Sequence, residues 1–153
     1  MASDLKVEKV DELSPQNVEW VSKYKAYAFD DDYKIRVYTN KGIFELVFRA
    51  GYMSNCGSIP KPFQWFLKSY DPKRPLYNAA FFLHDDGYQK KGWGRFTRDD
   101  VDAMCRGMLR EAGENRLHAS TMDLAVGLFA CMHWGDNTFN NLEFLSEFRE
   151  VFV

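Results

Sequence analysis

The 153-residue sequence holds only three cysteines and three histidines, and that scarcity narrows what it can be. Cys56, Cys105 and Cys131 are far apart and odd in number, so they supply neither a CxxC metal site nor a disulfide framework. That usage suits a reducing compartment. No apolar run approaches the roughly 20 residues that span a membrane, so no transmembrane segment is expected. Met1 to Leu13 is charged throughout, where a secretory signal would be apolar. An excess of positive charge is also missing: 20 Lys+Arg stand against 22 Asp+Glu, a formal charge of −2. No global basic field recruits nucleic acid, and none is expected as a partner. No internal repeat is visible, which argues against a solenoid.

What is present is apolar and aromatic. Hydrophobic residues are 46% and aromatics 16%, enough for one packed domain over residues 1–153. Residues 1–16 are polar, mixed in charge and closed by Ser14-Pro15, and read as a lead-in arm. Val18 to Phe29, with Trp20, Tyr24 and Tyr27, suits a strand, ended by Asp30-Asp31-Asp32. From Tyr33 to Thr39 the side chains alternate, Tyr33, Ile35 and Val37 against Lys34, Arg36 and Tyr38. Asn40-Lys41-Gly42 turns the chain, and Phe44, Leu46 and Phe48 share the inner face of the return strand. The hairpin near 33–50 anchors a small antiparallel sheet of two or three strands.

Helical spacing dominates the rest. Phe63, Trp65, Phe66 and Leu67 form a short aromatic helix or turn. Pro75 suits the first turn of a helix whose stripe is Leu76, Ala79, Ala80, Leu83 and Gly87, with Tyr77, Phe81, His84 and Tyr88 beside it. Thr97 caps a second helix with Asp100 three residues on, and Val101, Met104, Cys105, Met108 and Leu109 form its buried stripe. Further helices are expected over Leu117–Trp134 and Asn140–Phe152, the last on Leu142, Leu145, Phe148 and Phe152. The expected fold is α+β, a small antiparallel sheet followed by a three- to four-helix bundle.

One stretch gathers proton-handling groups: His84-Asp85-Asp86-Gly87-Tyr88, followed by Arg98 and Asp102. His84 and Tyr88 lie one turn apart on one face, and Asp85 is rotated by about 100°. Asp102 borders a buried stripe and needs a partner; the two stripes predict a hydrogen bond between His84 and Asp102 across the helices. A histidine whose tautomer a carboxylate fixes is a water-activating base. Asp85, aimed elsewhere, suits a hard cation such as Ca2+. The opposing reading is a fully satisfied polar knot between two helices. The loop Ser54 to Pro62 offers Asn55 and Ser58 as binding residues, with Ser58 as a cap or turn residue in the plainer reading. Lys90, Lys91, Trp93 and Arg95 make a basic, glycine-flanked loop: a contact surface for an anionic partner, or a connection with Trp93 folded back on the core.

These motifs resemble a family of small proteins of unassigned function encoded by bacteriophages and prophages. Its pattern is Thr-Asp-x-x-Ser-Ile-Pro, then His-Asp-x-x-Tyr, then Arg-x-x-x-Asp. The chain shows Ser54-Asn55-Cys56-Gly57-Ser58-Ile59-Pro60, His84 to Tyr88, and Arg98 with Asp102. Asn55 replaces the usual Asp, which weakens any metal or base role for that position. The resemblance implies that Asn55 or Ser58 lies within reach of His84 or Asp85. The middle of the chain also resembles the catalytic helix pair of secreted phospholipases A2. That likeness implies His84 as base, Asp85 as calcium ligand, and Asp102 and Tyr88 as orienting groups; the flanking disulfides and glycine-rich calcium loop are missing. Two function classes follow. One is a phage-encoded hydrolase of a lipid, ester or phosphoester, with His84, Asp85, Tyr88, Arg98 and Asp102 catalytic and Asn55, Ser58 and Trp93 binding. The other is a non-enzymatic phage protein, a virion component of tail or capsid, or an inhibitor of a host factor. Either would reside in the host cytoplasm or the virion.

Overall fold

The structure, a computed structural model, describes residues 3–24, 26–54, 71–113 and 145–152. The alternating residues build its centre. In β4 (Tyr33–Thr39), Tyr33, Ile35, Val37 and Thr39 are buried, while Lys34, Arg36 and Tyr38 lie on the half-exposed face. It pairs antiparallel with β5 (Gly42–Phe48), and Thr39 faces Gly42 across the two-residue link Asn40-Lys41. Gly42 has φ +132°, a backbone conformation that L side chains rarely adopt, so the turn needs glycine.

Two further strands complete this sheet. β1 (Val7–Glu12) comes from the polar lead-in stretch and pairs with β4. β7 (Ser146–Val151) pairs with the other edge of β5, giving the order β1-β4-β5-β7. A second antiparallel sheet joins β2 (Val18–Val21), β3 (Ala26–Phe29) and β6 (Met53–Ser54), in that order. Helix α1 (Pro75–Gln89) has proline in its first turn and is buried over most of its circumference. Helix α2 (Arg98–Glu111) starts on the expected capping box: Thr97 Oγ1 accepts from Asp100 N–H, and Asp100 Oδ2 accepts from Thr97 N–H, both at 3.2 Å.

The expected three- to four-helix bundle is therefore overturned. Among the described residues there are two α-helices and seven strands in two antiparallel sheets, a mostly β fold with a small helical part. The error is clearest at 140–152, where Leu142, Leu145, Phe148 and Phe152 are spaced as in a helix, yet residues 146–151 form a strand. The free edge of β5 supplies a ladder partner for each of those six residues, and that gain overrides a spacing that fits both states. The helices expected at 63–67 and over 117–134 lie outside the described residues.

The core sits between the central sheet and α1. Phe29 stacks on Phe48 with centroids 5.2 Å apart and meets Phe82 of α1 edge-on at 4.9 Å. Gly87 does not end α1; it gives room to α2, since a Cβ there would lie 2.7 Å from Val101 Cγ1 and 3.0 Å from the Trp93 ring. That contact sets the two helices side by side at the level of His84. Among the described residues no helix is long and apolar enough to cross a membrane.

Candidate functional site

The fourth turn of α1 presents three polar side chains in three directions. His84 faces α2. Its Nε2 lies 2.7 Å from Asp102 Oδ1, the expected bond across the helices. Tyr88, one turn further on, donates its hydroxyl to the same oxygen at 2.6 Å. The two rings pack at 4.2 Å between centroids, tilted by 30°. Asp102 accepts, so Nε2 carries the proton and the lone pair of a neutral His84 sits on Nδ1. Among the described residues Nδ1 has no hydrogen bond. His84 is 3% exposed, while the Asp102 side chain keeps 19% of its surface in contact with solvent.

Asp85 points away from this pair. Side-chain hydrogen bonds from Ser54 and Gln89 reach it, but burial outweighs them and lifts its carboxyl to about 6. The neighbouring charge of Asp86 adds to that rise, and His84 opposes it. Its Oδ2 atom is buried and has no hydrogen-bond partner among the described residues. A buried carboxylate oxygen left in that state is costly unless a proton or a cation meets it. A single oxygen is not a cation site, and the described residues gather no group of three His, Cys, Asp or Glu that could hold a metal.

Asp86 was not singled out from the sequence, and it is the most completely buried of the three. Tyr52 Oη and Ser146 Oγ donate to its Oδ1 at 2.8 and 2.7 Å, and Trp93 Nε1 donates to Oδ2 at 2.7 Å. Lys90 Nζ stands 4.0 Å from Oδ1 and bonds Ser146 Oγ at 2.5 Å. Burial and the Asp86 charge push the Tyr52 phenol well above its ordinary range. A signal for Asp86 was available: it follows Ala79 and Phe82 at i+7 and i+4, an acid inside an apolar stripe.

Of the two readings of the basic loop, the one with Trp93 folded back on the core holds, and the loop serves this network. Lys91, Gly92, Trp93 and Gly94 all have positive φ, at 49°, 69°, 55° and 70°. Such backbone costs roughly 1–2 kcal/mol at each non-glycine residue. It folds Trp93 back so that its ring stacks on Phe148 of β7 at 4.1 Å, with 4° between planes. Lys90 bonds Ser146, and Arg95 reaches Glu150 at 3.3 Å, so both cations hold β7 in place.

The structure thus brings together His84, Tyr88 and Asp102, with Asp85 adjacent on another face. Arg98 stands exposed in the first turn of α2 and takes no part in that cluster. Asn55 and Ser58 lie outside the described residues. Ser54, at the end of β6 and one residue before Asn55, hydrogen-bonds Asp85, a contact that nothing in its local sequence signals. A cleft of about 860 Å³ between residues 3–7 and α2, bordered by Arg106 and Arg110, shares no residue with the site.

Residues 30–126 match a family described as "Protein of unknown function (DUF1353)". The match covers more than half of the chain and takes in every residue of the cluster, and the chain belongs to that family. No curated protein and no solved structure matches it.

Proposed function

We propose that this DUF1353 protein is a phage-encoded hydrolase in which His84 activates water against an ester or phosphoester, lipid esters included. One observation carries the reading: a single carboxylate oxygen, Asp102 Oδ1, accepts from both His84 and Tyr88. That arrangement holds the imidazole in one tautomer with Nδ1 as the basic atom. Water attacking the substrate gives its proton to Nδ1, and the imidazolium passes it to the leaving alkoxide. The Asp102 charge stabilises the imidazolium, and Tyr88 keeps the carboxylate from rotating away. Asp85 Oδ2 offers a cation a single buried oxygen on the face away from His84, and the described residues gather no further group to complete a Ca2+ site, so no step is routed through a metal.

The burial of His84 favours a second reading, in which the same cluster only locks α1 to α2. The protein would then be a non-enzymatic phage component, part of the virion or a binder of a host factor.

A screen of acyl esters, phosphoesters and phospholipid vesicles, with and without Ca2+, separates the two. Wild type is expected to turn over one class and His84→Ala to lose at least 100-fold, within the range for a general base. A folded wild type inert toward all three classes rejects the hydrolase reading.

A further inference from the structure

We propose that Gly87 is a positioning residue: its missing side chain lets α2 come close enough for Asp102 to hold His84 and Tyr88 at once. The effect on rate rests on the hydrolase reading above; the geometry does not. Glycine favours a helix interior less than any residue but proline, yet Gly87 lies inside α1. Its φ is not among the positive ones, so no backbone strain calls for glycine there. What calls for it is space. A Cβ would stand 2.7 and 3.2 Å from the two methyl carbons of Val101 and 3.0 Å from the Trp93 ring.

Gly87 lies between His84 and Tyr88 on α1, and Val101 directly precedes Asp102 on α2. The contact is therefore next to the two hydrogen bonds, at 2.7 and 2.6 Å. Neither neighbour yields readily. Val101 is fully buried, and a valine in a helix keeps one χ1 rotamer. Trp93 is stacked on Phe148 and donates to Asp86. A methyl group at position 87 thus moves the α2 backbone, taking Val101 back from 2.7 Å to the 3.4 Å at which ordinary contact begins. Asp102 is carried along, and a comparable shift takes both bonds past the roughly 3.2 Å limit of a good hydrogen bond. Apolar packing alone would accept a wider pair, since helix spacing follows the side chains at the contact. The shared oxygen does not.

The test follows the His84 Nε2 proton by nitrogen-edited NMR in wild type, Gly87→Ala, Val101→Ala and the double variant. In wild type this proton is expected at low field and slow to exchange with water, because Asp102 accepts it. Gly87→Ala is expected to exchange it roughly 10-fold faster or more. Val101→Ala opens a cavity and should melt earlier, yet keep the slow proton; it separates lost stability from lost position. The double variant removes both methyl carbons that the new Cβ would meet, and should recover most of the slow exchange. Where esters are hydrolysed, Gly87→Ala should lose on the order of 100-fold in kcat with KM nearly unchanged, the scale for a misplacement of about 1 Å. A folded Gly87→Ala protein with wild-type exchange, a Val101→Ala protein that also loses the slow proton, or a double variant no better than the single one overturns the proposal. If Gly87→Ala does not fold, the double variant decides: a folded protein with the slow proton upholds the role of Gly87, and any other result rejects it. Faster exchange in variants of a protein that hydrolyses nothing leaves that role standing and removes the hydrolase reading; hydrolysis with unchanged exchange does the reverse.

Discussion

Replacing Asp102 by asparagine tests the shared acceptor from both ends. The change keeps the shape of the side chain and removes the charge that His84 and Tyr88 point at, at 2.7 and 2.6 Å. A hydrogen bond to an ionised acceptor contributes about 1.5–3 kcal/mol and a neutral one about 0.5–1.5, so each bond weakens by about 1 kcal/mol. Asp102 is partly solvated, which trims the sum to about 1–2 kcal/mol. For a chain of this length 1 kcal/mol moves the melting temperature by about 2–4 °C, so a fall of about 2–8 °C is expected, from a protein that still folds. The effect on turnover should be far larger. An asparagine can offer its NH2 to Nε2, which favours the tautomer with the proton on Nδ1 and removes the base. A loss near 10⁴-fold is the scale for a tautomer error of this kind. Tyr88→Phe removes one donor and should cost about 1 kcal/mol, and in the double variant the two effects should not add, because the residues share one oxygen. Parallel melting curves and initial rates suffice. An Asp102→Asn protein that melts and hydrolyses like wild type would refute the argument.

Asp86→Ala should be the most damaging single change in α1, because it strands Tyr52, Ser146 and Trp93 as donors; at about 1 kcal/mol or more for each, a loss of about 3 kcal/mol or more is expected in denaturant titration. Asp85 has its carboxyl raised from 3.8 to about 6, so the folded state holds more protons than the unfolded between those values. Stability should therefore fall as pH rises through that window, by no more than roughly 3 kcal/mol, and level off above it; metal-free Asp85→Asn should lose that slope. Glu45 behaves in the opposite sense. Arg149 and Arg36 hold its carboxyl down at about 2, so its contribution is present above the ordinary value of 4.5 and fades as pH drops toward 2; Glu45→Gln should lessen the acid sensitivity of the melting temperature.

The features legible in the sequence are those set by local chemistry. Alternation from Tyr33 and the turn at Asn40-Lys41-Gly42 fix the hairpin, and the Thr97–Asp100 box fixes the start of α2. The spacing of His84, Tyr88 and Asp102 was also readable, because two buried stripes define the face on which they meet. What was hidden depends on distant partners. β1, Val-Glu-Lys-Val-Asp-Glu, shows no alternation and its register shifts between Val7 and Lys9; it becomes a strand because β4 offers it an edge. β7 exists because β5 offers the other edge. Trp93 could be read either as a contact residue or as folded back on the core, because nothing local reveals that Phe148 and Asp86 await it. Asp86 was passed over for the same reason: each of its hydrogen-bond donors comes from outside α1.

The late position of β7 has a consequence for how the protein is made. Arg149 in β7 binds Glu45 in β5 across 104 residues of sequence, and Ser146 reaches Asp86 across 60. A chain emerging from the ribosome has both helices in hand before it has the strand that satisfies the charge inside α1. Until β7 arrives, Asp86 lacks Ser146, the Trp93 ring has no Phe148 to lie on, and one edge of β5 is bare. Contacts this distant form slowly, and an open strand edge in that interval is adhesive. Chaperone demand during synthesis should therefore track the time taken to translate from α2 to β7, and slowing translation within that interval should lower soluble yield more than slowing it before β5.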